Sequence, residues 1–127
     1  MKKTLLYIGL AVVGYAIYKN VSEGDNNYGI SERNIEKLQT GLPTIVGKIE
    51  MKLYAQGKSI SQIANEIKDV HTSVKLVEVN GKYDSNTKKA VASIQKFLKD
   101  HGNTDIVRTD GVPDKATLEI LTEWFNA

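Results

Sequence analysis

Residues 81–91 read Gly-Lys-Tyr-Asp-Ser-Asn-Thr-Lys-Lys-Ala-Val, and residues 111–121 repeat their pattern as Gly-Val-Pro-Asp-Lys-Ala-Thr-Leu-Glu-Ile-Leu. Both copies follow G-x-x-D-x-x-T-x-x-[A/I]-[V/L], and the copies begin thirty positions apart. Each copy joins turn-forming residues to residues that begin a helix. The repeat therefore predicts two equivalent turn-plus-helix units near the end of the chain.

The first half of each copy predicts a tight turn. Asn80 precedes Gly81, and Asp110 precedes Gly111. Asn-Gly and Asp-Gly pairs favour turns because glycine adopts a positive φ without steric cost. These residues are therefore predicted to shape the backbone.

The second half of each copy predicts the start of a helix. Asp84 and Asp114 stand three residues after the glycines, where a carboxylate can accept a hydrogen bond from an unpaired backbone N–H. Thr87 and Thr117 follow three residues later and can return a hydroxyl hydrogen bond to the cap, as in a capping box. We predict that all four residues are structural.

The chain as a whole is short, and its charge is unevenly distributed. Its 127 residues leave room for one modest domain plus appendages, and the lack of cysteine excludes a disulfide framework. The net charge is +2, but the first twenty residues contain three lysines and no acid, so the remainder carries −1. Because a slightly acidic body is a poor match for nucleic acid, we predict no nucleic-acid partner.

Residues 1–21 are predicted to form a transmembrane anchor. Between Lys3 and Lys19, the stretch 4–18 has no charged residue and, apart from Thr4, contains only Leu, Ile, Val, Ala, Gly and Tyr. A spanning helix needs about 20 apolar residues, and flanking lysines can extend a shorter one by reaching the interface. The lysines at the start predict a cytoplasmic N-terminus and a body outside the cytoplasm. The lipid bilayer is thus the expected partner of residues 4–18.

A cleaved secretory signal peptide is the alternative interpretation of this segment. It would need a basic start, an apolar stretch and small residues such as Gly14 and Ala16 before the cleavage point. The apolar run continues through Ile17 and Tyr18, which favours a retained anchor. A buried core helix is the third interpretation.

The middle of the chain predicts a linker followed by helices. Polar, turn-rich residues over 22–30 indicate a short linker. A helix is predicted over 31–40, stopped by Gly41 and Pro43, and a second amphipathic segment over 44–57.

The remainder of the chain predicts further helices with irregular connections. A capping box, Ser-Ile-Ser-Gln at 59–62, opens a helix whose predicted apolar face comprises Ile60, Ile63, Ala64, Ile67 and Val70. Residues 74–79 alternate β-branched and polar side chains but are too isolated for a sheet, so we predict an extended loop or a lone short strand. Helices are predicted at 85–99 and 115–125. The predicted fold is all-α, divided into an anchor (1–21), a linker (22–30), a helical segment (31–57) and a C-terminal domain (58–127).

The last seventy or so residues, about 59–127, resemble the small three-helix peptidoglycan-binding domain found beside many bacterial and phage cell-wall hydrolases. That family combines D-G-x-[F/Y]-[G/D]-x-x-T-x-x-A-V-x-x-[F/I]-Q with a later D-G-x-x-[G/D]-x-x-T-x-x-x-L. Residues 80–95 and 110–121 match these blocks at nearly every defining position and in the same order. Two departures are Asn80 in place of the usual Asp and a segment 101–109 longer than the typical loop. The resemblance implies a domain that binds peptidoglycan.

Three residues are candidates for ligand contact in the cleft that the resemblance implies between the two units. Tyr83 offers a ring face for a sugar, and its alternative role is packing over the helix start. Gln95 offers a donor and an acceptor, or else a buried hydrogen bond to loop backbone. Arg108 could grip a stem-peptide carboxylate, or be a solvated loop charge. If these three do not bind, the helices between 31 and 56 are the next region to consider.

No pattern in the sequence indicates catalysis. His71 and His101 are not at zinc-ligand spacing, and no cysteine supplements them. Nucleophile-elbow, phosphate-loop and dinucleotide-binding motifs are absent from the sequence. We therefore predict a non-enzyme with no metal and no cofactor.

A helix-turn-helix of transcription regulators is the competing interpretation of residues 53–75. The small Ala64 and the spacing of Ile and Val fit that motif. Its recognition helix would be residues 72–79, where Lys75 is the one basic contact. A DNA-binding regulator tethered to a membrane is therefore the alternative function.

Taken together, the sequence predicts a single-pass, N-terminally anchored protein whose outer body binds peptidoglycan without catalysis. Such a protein could tether a membrane to the cell wall, or could be a minor protein of a bacteriophage virion with an internal membrane. A homo-oligomer and capsid or membrane-protein partners are compatible with either setting.

Overall fold

The structure, a computed structural model, describes residues 27–126 and is all-helical over that range, which confirms the predicted all-α fold. Its five helices are α1 (Glu32–Ala55), α2 (Ile60–Glu66), α3 (Lys68–Lys75), α4 (Ser85–Asp100) and α5 (Lys115–Asn126). Helices α4 and α5 agree closely with the two helices that the repeat predicts.

Helix α1 is one continuous helix of 24 residues, so the prediction of two segments separated at Gly41 and Pro43 is wrong. Its apolar stripe continues on both sides of Pro43, and packing of that stripe outweighs the hydrogen bond that proline removes. Pro43 itself lies on the exposed face. The stripe consists of Ile35, Leu38, Leu42, Ile45, Val46, Ile49 and Leu53.

Helix α2 begins with the predicted capping box. The Gln62 N–H donates to Ser59 Oγ over 3.2 Å, and the Ser59 N–H donates to Gln62 Oε1 over 2.8 Å. The predicted apolar face is only partly right. Ile63, Ile67 and Val70 are buried, but Ile60 is 79% exposed and Ala64 is also exposed.

Helix α3 follows α2 after a single residue, Ile67, and ends at Lys75. The segment predicted as extended therefore begins as helix, and residues 76–79 form neither helix nor strand. The helix-turn-helix interpretation needs a recognition helix over 72–79. Of that range, only the last turn of α3 is helical, and no turn of several residues separates α2 from α3.

The core is continuous across the boundary predicted between residues 57 and 58. Helix α1 packs against α5, and α3 packs against α4, with buried side chains from all five helices in one cluster. Ile30 belongs to the same cluster and is 3% exposed, so the end of the predicted linker is part of the folded body. The hydrophobic effect thus unites α1 with the C-terminal helices.

The predicted anchor, residues 1–21, and linker residues 22–26 lie outside the described range. Within residues 27–126, no helix combines the length and apolar character that crossing a bilayer requires.

Candidate functional site

The second turn of the repeat is held by a buried glutamine from α4. Gln95 Nε2 donates to Val112 O and to Thr117 Oγ1, both over 2.9 Å, and the Gly111 N–H donates to Gln95 Oε1 over 2.8 Å. The Gln95 side chain is completely buried. Gln95 therefore acts as a structural link between α4, the loop at residues 111–112 and the first helical turn of α5.

The first turn is held in the same way by Gln39 of α1. The backbone N–H groups of Asn80 and Gly81 donate to Gln39 Oε1 over 2.9 and 3.0 Å. Gln39 Nε2 donates to Lys82 O over 2.9 Å and to Thr87 Oγ1 over 3.0 Å. Gln39 is 2% exposed. Each turn is thus held by a buried glutamine from an earlier helix, Gln39 of α1 for the first turn and Gln95 of α4 for the second.

The close approach of each turn to that helix is also duplicated. A Cβ on Gly81 would stand 3.2 Å from Glu32 O, and a Cβ on Gly111 would stand 2.4 Å from Lys88 O. Glu32 precedes Gln39 by seven residues, and Lys88 precedes Gln95 by seven residues. The repeat unit therefore comprises a helix, the turn that lies over its first part and the helix that follows. The three helices of this arrangement are α1, α4 and α5, with α2 and α3 inserted.

Gln39 is a residue that the sequence reasoning missed. The helix predicted to precede the first turn began at Ser59, whereas α1 fills that position. A signal was present, because residues 38–42 (Leu-Gln-Thr-Gly-Leu) and 94–98 (Ile-Gln-Lys-Phe-Leu) share the pattern [L/I]-Q-x-x-L.

The predicted helix caps are formed in both copies. Asp84 Oδ1 accepts from the Thr87 N–H over 3.0 Å and from the Thr87 hydroxyl over 2.8 Å. Asp114 Oδ1 accepts from the Thr117 N–H over 3.0 Å. Partial burial raises the pKa of Asp84, but hydrogen bonds from Thr87 and Asn80 outweigh it and leave that pKa below its ordinary value.

Tyr83 is buried rather than open to a sugar. The residue is 5% exposed, and its ring meets the Tyr28 ring edge to face, with centroids 5.4 Å apart. The Tyr83 hydroxyl donates to Gly111 O over 2.6 Å, and burial raises the pKa of Tyr83 well above its ordinary value. Tyr83 therefore links the first turn to the second, which is the packing role weighed against sugar stacking.

Arg108 is exposed and supports the same second turn. Its guanidinium donates to both carboxylate oxygens of Asp110, over 3.2 and 2.9 Å. Asp110 Oδ1 also accepts from the Val112 N–H over 3.1 Å. The hydrogen bond from Arg108 is the largest cause of the lowered pKa of Asp110. The three predicted ligand residues thus all contact residues 110–112. Tyr83 and Gln95 do so as buried structural residues. None of the three lines either of the two cavities described next.

The larger of these two cavities is a groove of about 500 Å³ between α1 and α5. We call it the α1–α5 groove. Its floor is apolar and its rim is charged, and Val79 also lines it. Gly41 allows α1 to approach α5 closely, because a Cβ there would stand 3.0 Å from the Phe125 ring. The lining residues are Arg33, Glu36, Lys37, Leu38, Thr40, Gly41, Ile45, Val79, Leu121, Thr122 and Phe125.

A smaller cavity of about 290 Å³ lies between the second half of α1 and the end of α4. Trp124 lines it, and Lys52 Nζ lies 5.1 Å above the centre of the indole ring. His101 also lines it, stacked on Phe97 and hydrogen-bonded through Nε2 to Glu66 over 3.0 Å. The hydrogen bonds from Lys58 and then His101 lower the pKa of Glu66. Residues 27–126 contain no cluster of His, Asp and Glu suited to a metal ion.

Comparison of the chain with known protein families, with curated proteins and with solved structures found no match.

Proposed function

We propose that this chain is a membrane-anchored protein that binds peptidoglycan without catalysis. The observation that carries the proposal is the duplicated turn, which occurs twice with a buried glutamine, a positive-φ glycine and an aspartate cap. Its sequence pattern is the one by which the chain resembles the peptidoglycan-binding family. The α1–α5 groove beside the first unit supplies a concave surface of the size that small ligands occupy.

The use of the buried polar groups supports a binding role over a catalytic one. Gln39, Gln95, Thr87 and Thr117 are buried, and each takes part in holding a turn or a helix start. Because these side chains hydrogen-bond to one another and to the backbone, they make the scaffold rigid. The residues that contact a ligand are then expected on the surface of this scaffold.

Two settings are proposed. One is a bacterial envelope in which the N-terminus is cytoplasmic and the body lies beyond the membrane, and the other is the internal membrane of a bacteriophage virion. In both, a short anchor followed by a compact body would hold the membrane close to peptidoglycan.

The binding proposal is tested by sedimentation with purified insoluble sacculi. The full chain in detergent should sediment with sacculi and stay in solution with cellulose, which shares sugar chains but lacks stem peptides. Gly111→Val, which disrupts the second turn, should abolish the effect and show that it requires the fold. Failure of the wild-type chain to sediment would reject the proposal. Retention on DNA under the same conditions would favour the membrane-tethered regulator.

The anchor proposal is tested by fractionation. The full chain should partition with membranes and resist carbonate extraction, because residues 4–18 place an uncharged stretch in the bilayer. A chain beginning at Ser22 should be released into the soluble fraction, since the described core lies wholly within residues 27–126. Recovery of a mature N-terminus near Ile17 would instead establish a cleaved signal peptide.

A further inference from the structure

We infer that the α1–α5 groove is the ligand site and that it takes the stem peptide of peptidoglycan, gripping the peptide by its carboxylates. The inference rests on the proposed function and adds to it the location of the site and the part of the polymer that is recognised. It moves the site from the second turn to α1, within the region from 31 to 56.

The rim of the groove carries two cations that are free to bind a ligand. Arg33 and Lys37 are one helical turn apart on α1, both are exposed, and neither forms an ion pair with an acid within residues 27–126. Other cations of the same part of the chain do form such pairs, as Lys96 does with Asp100. A pair of unmatched cations at the mouth of a cavity favours an anionic ligand.

The floor of the groove favours a ligand that has small apolar groups between its charged groups. Leu38, Ile45, Leu121 and Phe125 provide an apolar surface beneath the rim. A stem peptide contains both alanine methyl groups and carboxylates, so its methyl groups can cover this floor while its carboxylates reach the rim. Arg33 suits a carboxylate because its planar guanidinium can donate two parallel hydrogen bonds.

Glu36 completes the chemical match. It lies on the same rim, between the two cations in sequence, and can accept from the ammonium group of a diamino acid in the peptide. The sugar chain fits the groove less well, since sugars favour an open aromatic face. The Phe125 ring packs beside Gly41, and the indole of Trp124 in the smaller cavity is covered by Lys52.

Soluble fragments of peptidoglycan distinguish the two parts of the polymer. The full chain in detergent is titrated with muropeptides, with free stem peptides, and with glycan chains from which the peptides have been removed. We expect muropeptides and free peptides to bind with similar affinity, and peptides whose carboxylates are converted to amides to lose most of it. Binding to bare glycan as tight as to muropeptide would overturn the inference while leaving the sacculus result, and so the proposed function, intact. Absence of sacculus binding would reject both.

Charge reversal locates the site on the molecule. The double variant Arg33→Glu, Lys37→Glu should weaken muropeptide binding by about tenfold or more for each cation lost, because hydrogen bonds to charged groups have this strength. The matched control Lys68→Glu, Lys89→Glu makes the same change in net charge on exposed positions of α3 and α4 outside the groove, and it should stay within about twofold of wild type. Both variants should melt like the wild type. Equal affinities of the two double variants would place the site elsewhere.

Discussion

Replacing Gly111 by alanine should destabilise the fold severely. Gly111 has a φ of +85°, and a Cβ at this position would stand 2.4 Å from Lys88 O and 2.6 Å from Lys88 Cγ. The oxygen belongs to the backbone of α4, so the overlap can be relieved only by moving the turn away from the helix. That movement would also disturb the hydrogen bonds of Gln95 and Tyr83 to the same residue. We expect a loss of at least about 3 kcal/mol in the free energy of unfolding.

The control for this experiment is Gly102→Ala. Gly102 has a similar φ of +94°, but nothing lies within 4 Å of the position of its Cβ. Alanine there should cost only the conformational strain of about 1–2 kcal/mol. Gly81→Ala should fall between the two, because its nearest neighbour, in Glu32, is 3.2 Å away. Chemical denaturation of the three variants measures this order. Equal losses for Gly111→Ala and Gly102→Ala would contradict the close approach of the second turn to α4.

Replacing Gln95 by leucine should also cost far more than the loss of a helix cap. Leucine has a similar shape but leaves the Gly111 N–H, the Val112 carbonyl and the Thr117 hydroxyl without their buried partner. An unsatisfied buried polar group costs about 1–3 kcal/mol, so we expect a total of about 3–5 kcal/mol. Removing a cap, as in Asp114→Ala, typically costs about 1 kcal/mol.

The same variant separates a structural role of Gln95 from a binding role. Gln56→Leu is the control, because Gln56 is exposed at the end of α1 and should tolerate the change. Melting curves and sacculus sedimentation are measured on both. If Gln95→Leu left the stability unchanged but the variant no longer sedimented with sacculi, Gln95 would be a ligand contact. That result would contradict its structural role.

The sequence by itself determined the features that depend on neighbours along the chain. The turns at Gly81 and Gly111, the caps at Asp84 and Asp114 and the capping box at residues 59–62 all occur where their residue types predict them. Such features are predictable because the interacting groups are only a few residues apart, and their geometry is set by φ and by local hydrogen bonds.

The tertiary structure alone decided which distant groups meet. Gln39 contacts Gly81 of the first turn, 42 positions further along the chain, and Tyr83 is covered because its hydroxyl lies against a turn 28 positions away. Helix α1 continues on both sides of Pro43 because its stripe of buried side chains packs against the other helices. The α1–α5 groove exists for the same reason, since Gly41 and Phe125 lie together only after folding. The free energy of packing is summed over many contacts between distant residues, so it can outweigh a local helix-breaking residue such as Pro43. For the same reason, a short stretch of sequence does not determine which of its side chains will be buried.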